Sequence, residues 1–150
     1  MTRALRAGLL AAAVLAAACA ASGPPFEPVD PPPGKALVYI YRPELGYGPL
    51  VRFNVAVKDQ PIVYVIRGGY FPYVAAPGET EFWAGTEGQV AVTENLRAGH
   101  TYYLLARASE GYWIPRPRLE FVPREEAEDV LEGCVLLPPA GEGPKTVRGR

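Results

Sequence analysis

Histidine occurs once in this chain, at position 100, and cysteine twice, at positions 19 and 134. A lone imidazole cannot build a histidine-rich metal site, and no second thiol stands at metal-ligand spacing. Lysine and arginine form no basic block, and the formal net charge is -1. The chain therefore lacks the electrostatic footprint of a nucleic-acid binder. Its longest apolar run, Gly8–Ala18, has eleven residues, and a helix that spans a bilayer needs about 20. Long helices are disfavoured too, since 17 prolines and 16 glycines punctuate the 150 residues and favour short strands and turns.

What is present begins with an export signal. Arg3 and Arg6 supply a positive start, and the apolar run follows, as in a secretory signal peptide over residues 1–18. The run ends in Ala16-Ala17-Ala18-Cys19. This tetrad is similar to the lipobox of bacterial lipoproteins, in which the cysteine thiol is acylated and becomes the mature N-terminus. The same alanines satisfy the A-x-A pattern of ordinary cleavage, which would leave Cys19 free for a disulfide with Cys134 in an oxidising compartment. Cysteine is rare at that point of a simple signal, so lipidation at Cys19 is the expectation, with palmitate as a typical acyl group. Alanine rather than aspartate at position 20 favours, by the same resemblance, the periplasmic face of the outer membrane. Removing Arg3 and Arg6 from the 15 basic residues leaves 13 against 16 acidic ones, a balance of -3.

Residues 19–34 carry six prolines and almost no apolar periodicity, so they read as a proline-rich linker. Extended at about 3.1 Å per residue, it would hold a domain up to about 45 Å from the lipid surface. Roughly 115 residues remain, enough for one modest core.

From residue 35 the pattern is period-two alternation broken by turn residues. "KALVYIYR" (35–42) is apolar on both faces, which suits an inner strand. "VRFNVAVK" (51–58) turns Val51, Phe53, Val55 and Val57 inward and Arg52, Asn54 and Lys58 outward. "KDQP" is a tight turn before "IVYVI" (62–66). "YFPYVA" (70–75) contains Pro72, which cannot donate to a ladder, so it reads as an edge or bent strand. Pro77-Gly78 makes a turn. Further strands follow at 81–85, 89–95, 101–108 and 118–122. Turn signals every 8–12 residues predict an all-β fold, an Ig-like or similar β-sandwich of about 7–8 short antiparallel strands over residues 35–137. One helix is expected near the C-terminus. Pro123 stands at its start, Gly133 past its end, and Ala127, Val130 and Leu131 share a face. Residues 138–150 read as a loose tail.

"GKALVYIYRP", "GGYFPYVAAPGETEFWA" and "AGHTYYL" together resemble the domain of unknown function 2846 family of exported bacterial proteins. The resemblance spans roughly residues 35–134. It implies a small envelope lipoprotein with one β-rich domain, and it implies no chemistry.

The residues themselves suggest no catalytic set, no metal site and no cofactor. His100 reads as part of a turn, and Cys134 as a small buried hydrophobe. The acidic run Glu125, Glu126, Glu128, Asp129 and Glu132 lacks the glycine-turned ligand loop of a calcium site and reads as a solvated helix face. Arg42 is a candidate for pairing with an acidic neighbour, not for a ligand contact. The functional expectation is a non-enzymatic domain that binds or scaffolds another envelope component. The aromatics Tyr70, Tyr73, Trp83, Tyr112 and Trp113 are the candidate partner-binding residues. An alternative is that these rings stack on a glycan or on peptidoglycan.

Overall fold

A computed structural model describes residues 21–46, 51–85, 89–109 and 116–142. Among these lie nine strands in two sheets and one short helix. They follow the order β1 (Ala36–Arg42), β2 (Phe53–Val57), β3 (Gln60–Val65), β4 (Gly69–Ala75), β5 (Gly78–Gly85), β6 (Gln89–Leu96), β7 (Thr101–Ser109), β8 (Arg116–Val122), α1 (Arg124–Leu131) and β9 (Val135–Leu136). One sheet has the order β8-β7-β1-β4-β9 and the other β3-β2-β5-β6. The sheets pack face to face as a β-sandwich.

All seven residues of β1 are buried. Ala36, Val38 and Ile40 face the second sheet and join Phe53, Val55, Val63, Val65, Phe82 and Leu104 in the main core. Leu37, Tyr39 and Tyr41 face the other way, into a second cluster with Tyr70, Tyr103, Ala127 and Leu131. The five-stranded sheet is thus covered on both sides, which is what two apolar faces demand of an aqueous protein.

The inward set read from "VRFNVAVK" is the observed one: Phe53 and Val55 are buried, and Asn54 is only partly so. The hairpin to β3 turns on Lys58 (φ 49°) and Asp59 (φ 62°). Two successive positive φ angles match the right-handed twist of the flanking strands. Pro72 sits where its missing N–H does no harm. The carbonyls of Gly68 and Tyr70 accept bonds from Val135 and Leu137 in and after β9. Backbone groups two residues apart point to the same side, so Pro72 faces the edge that β9 has already left.

The strands are not antiparallel throughout. β1 pairs in parallel with β7, Leu37 opposite Thr101 through Tyr41 opposite Leu105, and β4 pairs in parallel with β9. Between β1 and β7 the chain leaves for the second sheet twice, so β7 re-enters at the end where β1 begins. Backbone bonds from Leu37 to His100 (3.0 Å) and from Gly99 to Lys35 (2.8 Å) fasten the two strand starts together.

α1 occupies the position read from its apolar spacing. Pro123 precedes it in extended conformation (ψ 156°), and Glu125 and Glu126 lie in its first turn, where carboxylates complement the helix dipole. Ala127 and Leu131, four residues apart, are buried against the Tyr39 side of the sheet.

Two segments expected to be free are docked. The proline-rich stretch does not stand off from the domain as a spacer. Leu136 N–H donates to the Pro24 carbonyl (2.8 Å) and Phe26 N–H to the Cys134 carbonyl (3.1 Å), so residues 24–26 line β9 as an added edge. A Cβ at Gly23 would run into the Leu136 carbonyl oxygen, so only glycine permits this approach. The Phe26 ring meets Tyr39 and Tyr70 edge-on, at 5.2 and 5.1 Å. Val29 N–H donates to the Tyr39 phenol oxygen (2.8 Å). Prolines preclude a cooperative fold of the stretch alone, but backbone bonds to β9 and the seated Phe26 ring hold it against the sheet. The first residues of the expected tail are also engaged: Pro139 bridges Val63, and Ala140 N–H donates to the Ile62 carbonyl.

Two stability measurements follow. Phe53→Ala should cost about 3–5 kcal/mol in a denaturant melt and Asn54→Ala well under half of that, the ranking expected of a buried and a half-exposed side chain. Phe26→Ala should admit proteases to residues 21–34 under conditions where the sandwich stays folded. Unchanged cleavage would mean that the ring does not hold the strap.

Candidate functional site

The alternation of β5 decides which aromatics are available. Phe82 and Ala84 are buried at 0% and 1% exposure, so Glu79, Glu81 and Trp83 fall on the opposite, solvent-facing side of the four-stranded sheet. Trp83 stands between Ala56 of β2 and Ala91 of β6. Both cross-strand neighbours are small, and the indole is partly buried. A shallow groove of about 270 Å³ runs beside it, bounded by Lys58, Glu79, Thr80, Glu81 and Thr93. An aromatic plane edged by carboxylates, hydroxyls and one ammonium can hold an amphipathic ligand. The ring takes the apolar face and the polar groups fix the orientation.

The other candidate rings fare differently. Tyr70 is 4% exposed and packs against Phe26 and Tyr39, so it belongs to the core and not to a partner surface. Tyr73 is half-buried and meets Phe82 edge-on at 6.0 Å, which ties it to the main core as well. Both lie on β4, where Tyr73 faces the second sheet and Tyr70 lies under the strap. Tyr112, Trp113 and Cys19 lie outside the described residues. Tyr64 of β3 was not singled out by its sequence context, yet it is half-exposed and shares the Trp83 face, opposite Asn54 of β2. The period-two spacing of "IVYVI", with Val63 and Val65 inward, was the signal for it. The groove's polar groups come from β5, β6 and the β2–β3 turn, and no local motif links them.

His100 and Cys134 are not brought together. His100 is exposed in the turn before β7, and its carbonyl accepts from Leu37 at the start of β1. The Cys134 thiol donates to the carbonyls of Val130 (3.4 Å) and, weakly, of Arg42 at the end of β1. Five strand residues separate the two positions, about 16 Å at strand rise. Cys134 is buried as expected, and burial, with a smaller push from Glu44, raises its thiol from an ordinary 9.0 to about 11. A thiol so placed is neutral and unreactive at neutral pH. The α1 carboxylates are solvated, Glu128 pairing with Arg124 at 2.7 Å. Among the described residues no group of histidine, cysteine and carboxylate side chains converges in a way that could hold a metal ion.

Burial also raises the Tyr41 phenol to about 12. Both groups are neutral acids whose folded pKa lies above the unfolded one, so the unfolded chain releases their protons first. Stability from this source is complete below about pH 9 and is lost as pH rises through the 9–12 range. Thermal melts should show a midpoint that falls above pH 9. Cys134→Ala should flatten the fall between pH 9 and 11 even if it lowers the whole curve. An unaltered slope would show that the thiol does not titrate in that window. His100→Lys should leave the midpoint within about 0.5 kcal/mol equivalent, as for an ordinary surface change.

Compared with protein-family models, with curated proteins and with solved structures, the chain matches none.

Proposed function

We propose that this protein is a lipid-anchored component of the bacterial cell envelope, held by an acylated Cys19 at the periplasmic face of the outer membrane. Its β-sandwich acts there as a non-enzymatic binding module for another envelope component. The signal-like start, the Ala-Ala-Ala-Cys junction and the three motifs resembling the domain of unknown function 2846 family support the location. The observation that carries the binding reading is Trp83. A partly buried indole on the outward face of the sheet, between two alanines and lining a groove, keeps part of its ring available for contact. With 13 basic against 16 acidic residues after residue 18, electrostatic steering has little to act on, so contact supplies the affinity.

The makeup of the groove favours a second reading, in which the bound component is a glycan. Sugar rings carry a C–H face that stacks on an indole, and hydroxyls that reach carboxylates and threonine side chains. Glu79, Glu81, Thr80 and Thr93 surround Trp83 with such partners.

Two experiments test this. Metabolic labelling with a fatty-acid analogue should mark the wild type and not Cys19→Ser, and equal labelling of both would dismiss the anchor. Co-sedimentation with purified peptidoglycan sacculi, beside cross-linking to envelope proteins in cells, should separate glycan from protein partners. Trp83→Ala should weaken whichever is bound by about 2 kcal/mol, roughly 30-fold, with little dependence on salt. Binding that survives the substitution and washes off at high salt would place the contact elsewhere.

A further inference from the structure

Both ends of the described chain leave the sandwich on one side. Residues 24–26 run along β9 and form the outermost row of the five-stranded sheet. Three residues before Pro24, Ala21 packs against the main core. The other end arrives there too. After β9 the chain crosses to the second sheet, where Pro139 bridges Val63 and Ala140 N–H donates to the Ile62 carbonyl (2.8 Å). β3 is the edge strand of that sheet and lies against β4, next to β9, whereas β6 is the opposite edge and lies against β8. Three strand spacings, about 14 Å, separate β3 from β6.

The edge formed by the strap and β3 does not invite another strand. Pro24, Pro25, Pro61, Pro138 and Pro139 stand along it, all exposed, and each lacks the N–H that a ladder needs. Such an edge resists pairing with a further chain, but it can lie against a surface that asks for no ladder. The segments that continue beyond both ends point to that surface. Cys19 is two residues from Ala21, about 7 Å of extended chain. Residues 143–150 carry Lys145, Arg148 and Arg150 and no carboxylate side chain. An acyl chain with basic residues beside it is a two-signal pattern of stable membrane attachment, and cations next to a bilayer are drawn to anionic headgroups.

We propose that the strap–β3 edge is the surface that faces the lipid, with the acyl group on Cys19 and the cations of residues 143–150 engaging one anionic bilayer from that side. The proposal rests on the acylation of Cys19 put forward above. The β6 edge then points away from the membrane, and the Trp83 face stands upright beside it, clear of the lipid and turned toward a partner in the aqueous space.

The test attaches a dye through an azide-bearing residue at Gln60 of β3 or at Asn95 of β6, both exposed. Energy transfer to an acceptor lipid is read in phosphatidylcholine vesicles with and without phosphatidylglycerol. Two preparations are compared: protein taken from cell membranes, and protein coupled through the Cys19 thiol to a maleimide lipid, a reaction that spares the buried Cys134. In both, the dye at Gln60 should lie nearer the lipid than the dye at Asn95 by about 14 Å, the span from β3 to β6. Phosphatidylglycerol should shorten the Gln60 distance, and replacing Lys145, Arg148 and Arg150 by Gln should abolish that shortening. Phe26→Ala should shrink the difference between the two dyes, because release of the strap lets the domain turn. Equal distances in the coupled protein, or a nearer Asn95, would overturn the orientation whether or not Cys19 is acylated in cells. A Gln60 distance indifferent to phosphatidylglycerol would overturn the part given to the cations. The expected distances in the coupled protein, with the cell-derived protein failing to attach to vesicles, would support the edge's fit to lipid and dismiss the natural anchor instead.

Discussion

Every other feature of the fold answers to the burial of β1 on both faces. A strand with alanine, valine and isoleucine on one side, and leucine and two tyrosines on the other, cannot sit at a water-facing surface on either side. One face is met by the four-stranded sheet. The other is met by two short pieces that could not fold by themselves: the eight-residue α1 and the proline-rich strap with Phe26. Isolated helices of that length are marginal in water, and the strap has no internal ladder. Each is held by the tyrosine face it covers, so the domain is three layers deep where β1, β4 and β7 supply that face.

The tyrosines of that hidden face explain why aromatic content alone misleads about function. Tyr39 stacks near Tyr103 at 5.9 Å and meets Phe26 edge-on. Its phenol oxygen accepts the Val29 N–H and so has a polar outlet at the layer's rim. Tyrosine suits this role because its ring fills a wide gap between sheet and strap while its hydroxyl ties down backbone. The rings in this cluster make structure. The rings left nearer to solvent are fewer and lie on the opposite sheet, at Trp83 and Tyr64.

Docking of the strap also changes the mechanics of any anchor at Cys19. A free polyproline spacer would let the domain sample a wide shell above a membrane. With Pro24 and Phe26 paired to β9, and Ala21 packed against the main core, position 19 is only two residues from a packed one, about 7 Å of extended chain. The domain of a protein acylated there would ride close to the lipid surface.

Much of this was legible in the sequence, for a physical reason. Period two is a property of single strands, so the inward set of β2, the double-sided burial of β1, the edge position of Pro72 and the apolar stripe of α1 could be read residue by residue. Strand direction was not legible, because alternation is the same in parallel and antiparallel pairs; β7 beside β1 was decided by where the chain re-entered the sheet. Tyr70 and Trp83 both look like strand aromatics next to turns, and their local patterns do not separate them. Their fates were set by what came to lie over them: the strap covers Tyr70 fully, while Trp83 on the outward face of the other sheet is only partly covered. The sequence by itself determined which residues needed shelter from water. Only the tertiary structure decided which partners supplied it, because burial is driven by apolar area without regard to the identity of the covering group, and chain connectivity then selects among the surfaces within reach.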